Sequence, residues 1–173
     1  MGTNVRSMII GFMPVIVLFC TLTASAQFSR GRLQAIGLTC ALCSKSIHQA
    51  LNKLSFIRSV EPELQSSSFE LRFKSDSSVS VSALRAAVED AGFFIGGLTL
   101  ELTQYLSDRD QHAWGFSWDG KRYQMLEEPR QGKLFQVIGK GFLPEKEYKR
   151  MSVRYAKELK AAGATILLLP VKN

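Results

Sequence analysis

The stretch Gly37-Leu38-Thr39-Cys40-Ala41-Leu42-Cys43 decides how this chain is read. Two cysteines stand two residues apart, between an apolar strand-like run and a helical one. On a loop that opens a helix, two thiolates at this spacing can close on one soft metal ion. The partial positive charge of a helix N-terminus favours the thiolate, which is the form that binds metal. Alone, Cys-x-x-Cys discriminates poorly, because redox motifs and half zinc sites share it. The elements on either side carry the decision.

Just before the motif, Leu33-Gln34-Ala35-Ile36 is expected as a strand that follows a short polar start, with Leu33, Ala35 and then Leu38 directed inward. Just after it, Ile47, Ala50, Leu51 and Leu54 recur at helical spacing and form one apolar stripe. Ser44, Lys45, His48 and Asn52 fall elsewhere on that helix surface. Val60 to Leu64 and Phe69 to Phe73 are expected as strands, the second alternating cleanly, with the turn at Ser66 to Ser68. Ser80 or Ser82 can cap a second helix whose buried stripe is Val81, Leu84, Val88 and Ala91, ended by Gly92. A last strand runs from Phe93 toward Leu102, with a bulge or break at Gly96-Gly97. The order βαββαβ is the ferredoxin-like α+β arrangement, a four-stranded antiparallel sheet with both helices on one face.

With these elements in place, residues 32–102 resemble a heavy-metal-associated domain, the module of copper chaperones, copper-ATPase N-terminal domains and the periplasmic mercury-binding protein. The family signature is Gly-Met-Thr-Cys-x-x-Cys, and Gly37 to Cys43 match it with Leu38 in place of Met. The family's Met is a buried anchor rather than a ligand, and Leu keeps its volume and apolarity. Ala91-Gly92-Phe93 resembles the family's Ala-Gly-aromatic run, whose ring lies near the metal loop. The resemblance implies that Cys40 and Cys43 are metal ligands and that the partners are metal-transport or metal-handling proteins. Two thiolates suit Cu(I) first and Hg(II) next, with Ag(I) and Zn(II) as further candidates. Family members that prefer zinc carry an acid beside the first cysteine, where this chain has Thr39.

Two other fates remain open for Cys40 and Cys43. They can form a small disulfide in an oxidising compartment, although so short a loop adds little stability. They can also act as a redox pair, although Thr39 and Ala41-Leu42 do not match the thioredoxin pattern. His48 and His112 are expected as exposed histidines, not ligands. No Ser-His-Asp set, paired carboxylates or phosphate loop can be assembled, so no catalytic residues are expected.

Residues 1–26 have the make-up of a signal peptide: Arg6, an apolar run from Met8 to Phe19, and the small-residue site Ala24-Ser25-Ala26. The run is short against the roughly 20 residues of a bilayer span. Cleavage leaves an exported, periplasmic or secreted protein without a membrane span. The alternatives are an uncleaved anchor or lipid attachment at Cys20, which the bulky Phe19 before it disfavours.

The net charge is +7. Residues 27–102 carry eight basic and seven acidic side chains, and residues 103–173 carry thirteen and eight. Export argues against nucleic acid as the partner. Lys146, Lys149, Arg150, Arg154, Lys157 and Lys160 fall on one expected helix and are expected as a solvated face, with a patch for an anionic partner or a membrane surface as the alternative. Residues 103–173 are expected as a second, small α+β domain of order ββ–β–α–β with a possible OB-like barrel. Its hairpin turns at Asp119-Gly120, and Trp114, Phe116, Trp118 and Tyr123 are expected as core aromatics, with a ligand-lining surface as the alternative. A competing function is an extracytoplasmic interaction module, in which this domain binds a partner and the cysteine pair is a disulfide or redox switch.

Overall fold

The computed structural model describes residues 28–38, 41–103, 115–118, 121–127, 133–161 and 165–171. Its first half is β1 (Phe28–Ile36), α1 (Ala41–Asn52), β2 (Ile57–Glu63), β3 (Ser68–Phe73), α2 (Val81–Asp90) and β4 (Phe94–Leu102). The strands lie in the order β2-β3-β1-β4, all antiparallel. The expected βαββαβ ferredoxin-like unit is therefore present.

β1 starts five residues earlier than its apolar residues indicate. Gly31 occupies an inward position, where a Cβ would lie 3.0 Å from Leu100 Cδ2 and 3.1 Å from Phe73 Cζ. An inward site that admits no side chain hides the two-residue alternation from the sequence.

The stripes close one core. Leu33, Ile47, Leu51, Leu84, Val88, Leu98 and Leu100 are fully buried in a single cluster. Ser80 caps α2, its Oγ accepting a hydrogen bond from Ala83 N–H at 3.2 Å. Gly92 ends α2 at φ 88°, and Phe93 N–H donates to Val88 O at 3.0 Å while Gly92 N–H donates to Glu89 O at 2.9 Å. These two bonds are the Schellman pair that satisfies the last carbonyls. The register of β4 slips between Gln34↔Gly97 and Ala35↔Ile95, so Gly96 is the extra residue of a bulge.

The second half contains β5 (Gly115–Trp118), β6 (Lys121–Met125), β7 (Leu134–Ile138), α3 (Glu145–Arg154), α4 (Ala156–Ala161) and β8 (Ile166–Pro170). The expected order ββ–β–α–β is met, with the helix broken at Tyr155 (φ −115°, ψ 37°). The described strands do not close into an OB-like barrel. β7 pairs with β4 through Thr99↔Gln136, Leu100↔Phe135 and Glu101↔Leu134, and the strands join one open sheet, β2-β3-β1-β4-β7-β8-β6-β5. In an isolated βαββαβ unit β4 is an edge with unpaired backbone groups, and β7 satisfies part of it.

Alternate residues of the added strands face opposite sides. Tyr123, Met125, Phe135, Val137 and Leu168 join the core of the first half. Ile138 and Leu167 form a second cluster with Leu143, covered by Tyr148, Met151 and Leu159 of α3 and α4. The sheet is strongly curled. Phe28 on β1 and Tyr123 on β6 are four strands apart, roughly 19 Å in a flat sheet, yet their ring centroids are 5.6 Å apart, edge to face.

Candidate metal centre

The loop between β1 and α1 is held from three sides. Gly37 leaves β1 at φ 91°, a conformation that L side chains rarely adopt. Leu38 is half-buried and packs against the core, as expected of an apolar anchor. A Cβ on Gly37 would lie 3.9 Å from Phe93 Cδ1, so the Ala91-Gly92-Phe93 run stands beside the loop. On the third side, Ala35 N–H donates to Ser67 O at 3.0 Å, which brings the β2–β3 turn to the same end of the sheet.

Cys43 is the third residue of α1 and is half-buried. It therefore lies within the first helical turn, whose backbone N–H groups have no intrahelical acceptor. The first turn contains no acidic residue to oppose the thiolate. Cys40 and Thr39 lie outside the described residues. Among the described residues no three His, Cys, Asp or Glu side chains come together as a metal-binding group.

Beneath the loop is a cleft of ≈ 230 Å³ lined by Leu38, Ala41, Ser44, Glu63, Leu64 and Ser67, among others. Ser44 is buried here, a correction to its expected surface position: the first turn of α1 faces the β2–β3 turn across this cleft. Four large apolar side chains at this end are exposed: Ile36 at 44%, Leu42 at 74%, Leu64 at 65% and Phe94 at 67%. Ile36 and Phe94 are direct partners across β1 and β4. An isolated exposed Leu is ordinary, whereas four around one loop make a rim that favours a protein partner. This rim was missed from sequence because its members come from four separate elements.

His48 is half-buried rather than exposed, which corrects the expectation. Its Nε2 lies 3.2 Å from Val60 O, and Asn52 Nδ2 donates to His48 O at 3.0 Å. The ring thus ties α1 to β2. Tyr123 is buried in the core. His112 and Trp114, the side chains of Phe116 and Trp118, and residues 1–26 lie outside what is described. The six basic residues of α3 and α4 are all exposed. Lys149 pairs with Glu145 at 2.9 Å, Arg150 with Glu147 at 4.0 Å and Arg154 with Glu127 at 3.4 Å, the arrangement of a solvated face. No helix among the described residues is long and apolar enough to cross a membrane.

A βαββαβ sheet with a cysteine in the first turn after β1 defines a class. Residues 32–94 match the family model of the heavy-metal-associated domain, and the chain belongs to that family. Over 61 residues it is 31% identical to the copper chaperone CopZ of Staphylococcus aureus (strain bovine RF122 / ET3-1), covering 35% of this chain and 88% of that protein. Two solved structures are also similar. A CopZ metallochaperone is 28% identical, with 39% of this chain and 98% of that one covered and a TM-score of 0.36. The Cu(I)-loaded N-terminal domain of a potential copper-translocating P-type ATPase from Bacillus subtilis is 25% identical, with 44% and 91% covered and a TM-score of 0.36.

Proposed function

We propose that this protein binds one Cu(I) ion between the thiolates of Cys40 and Cys43 and passes it to a metal-handling partner. The observation that carries this is Cys43 in the first turn of α1, half-buried at the rim of the family's loop. Similarity to copper chaperones favours copper over the other soft ions. The protein has no catalytic role here. It is exported, and the metal is its cargo.

Transfer runs by ligand exchange without a change of oxidation state. A partner thiolate adds to the two-coordinate ion and gives a three-coordinate intermediate. One of the Cys40 or Cys43 thiolates then leaves and takes up the proton that the partner thiol released. Low coordination number keeps the intermediate accessible, so exchange is fast although binding is tight. The rim of Leu42, Leu64 and Phe94 supplies apolar surface for the partner around the exchanging sulfurs.

The test is titration of the reduced protein with Cu(I) against a chromophoric chelator. One equivalent is expected to bind, and the Cys40→Ser, Cys43→Ser double variant is expected to bind none. Stoichiometric binding by that variant refutes the assignment. Cell fractionation with mass analysis of the mature N-terminus tests export, and a full-length cytoplasmic product refutes it.

A further inference from the structure

A second site lies at the end of β1 opposite the metal loop. A cleft of ≈ 250 Å³ there is walled by Arg30, Arg58 and Arg72, with Ser29, Ser75 and Phe73 among its other lining residues. Arg30 and Arg72 are direct register partners across β1 and β3. Like charges facing each other across strands destabilise a sheet. Arg58 adds a third cation as the extra residue of a bulge in β2, where the register slips between Ile57↔Phe73 and Ser59↔Arg72. β1 has its own bulge at Ser29, between Phe28↔Leu102 and Arg30↔Glu101. Bulges re-aim side chains and recur beside functional sites. Here they flank the same end of β3.

The carboxylates nearby only partly compensate. Glu101 lies 3.5 Å from Arg30 and Glu61 lies 3.9 Å from Arg72, with all four side chains partly or largely exposed. Arg58 makes no ion pair among the described residues. By contrast, the next pair along the sheet, Arg32 and Glu70, is closed at 2.6 Å. Three guanidiniums that gather in a cleft rather than disperse are compensated best by an anion. Guanidinium forks match phosphoryl oxygens bidentately, and hydroxyls can donate to the remaining ones. The cleft is smaller than the pockets that hold drug-sized ligands, so its occupant is small.

We propose that this cleft binds a small soluble phosphate compound, with inorganic phosphate and pyrophosphate as the simplest members. The site is independent of the metal loop, since it lies at the other end of the sheet and shares no residue with it.

The experiment is isothermal titration of the full-length protein with pyrophosphate and with inorganic phosphate, at constant ionic strength. Saturable one-to-one binding is expected. Arg58→Gln and Arg72→Gln are each expected to weaken it by about three- to tenfold, while Arg58→Lys retains part of the affinity. Arg150→Gln on α3 and the Cys40→Ser, Cys43→Ser variant are expected to bind as the wild type does. Absence of saturable binding overturns the proposal. So does equal weakening by Arg150→Gln, which would make the effect one of net charge. Arg58 is exposed and makes no ion pair among the described residues, so its variants keep the fold, and circular dichroism melts verify that in the same samples.

Discussion

Phe28→Ala tests whether the two halves of the chain unfold as one unit. Phe28 has no solvent exposure and lies edge to face with Tyr123, at 5.6 Å and an interplanar angle of 64°. Removing a buried phenyl ring costs about 3–5 kcal/mol through lost transfer energy and the cavity left behind. For a chain of this size each kcal/mol shifts Tm by about 2–4 °C, so the expected fall is on the order of 10 °C. Differential scanning calorimetry should show one transition, moved as a whole, because the ring touches the strand four places away in the same sheet. A cycle of Phe28→Leu and Tyr123→Leu should give a coupling of about 0.5–1.5 kcal/mol. Two transitions, of which only the first moves, would refute the cooperative sheet and place a domain boundary near residue 102. A shift below about 3 °C would refute the packing argument itself.

Tyr155 titrates above its ordinary range because burial disfavours the phenolate and its hydroxyl donates to Glu127 Oε1 at 2.7 Å. A raised folded value means stability that is complete below about pH 10 and lost as pH rises through it, so Tyr155→Phe should flatten the alkaline limb of a denaturation series. Gly37→Ala forces a side chain into φ 91°, at a cost of about 1 kcal/mol; if the loop relaxes to relieve it, Cu(I) affinity in chelator competition should fall about fivefold. His48→Leu removes the contact to Val60 O at 3.2 Å, and should lower the urea midpoint by the equivalent of about 1 kcal/mol while leaving Cu(I) stoichiometry unchanged. A loss of metal in that variant would make the histidine a ligand.

The N-terminal fold was legible because each stripe has an unambiguous period and a chemical stop. Ile47 and Leu51 mark one helix face, Ser80 and Gly92 bracket the next helix, and Gly96 marks the bulge in β4. The family was legible for a similar reason, since the loop's spacing and its flanks are both local. The start of β1 was not, because Gly31 leaves no hydrophobic mark at an inward position. The elements after residue 114 were also read in order, yet their arrangement was not. Whether Leu134 to Ile138 begins a barrel or completes the edge of β4 depends on which backbone groups meet, and alternation reads the same in both cases. The apolar rim of Ile36, Leu42, Leu64 and Phe94, and the three arginines at the other end, belong to the same category. Local periodicity determined the strands, helices and cysteine motif from sequence alone. Register and curl, set by long-range backbone pairing and by packing such as Phe28 on Tyr123, decided which residues share a surface.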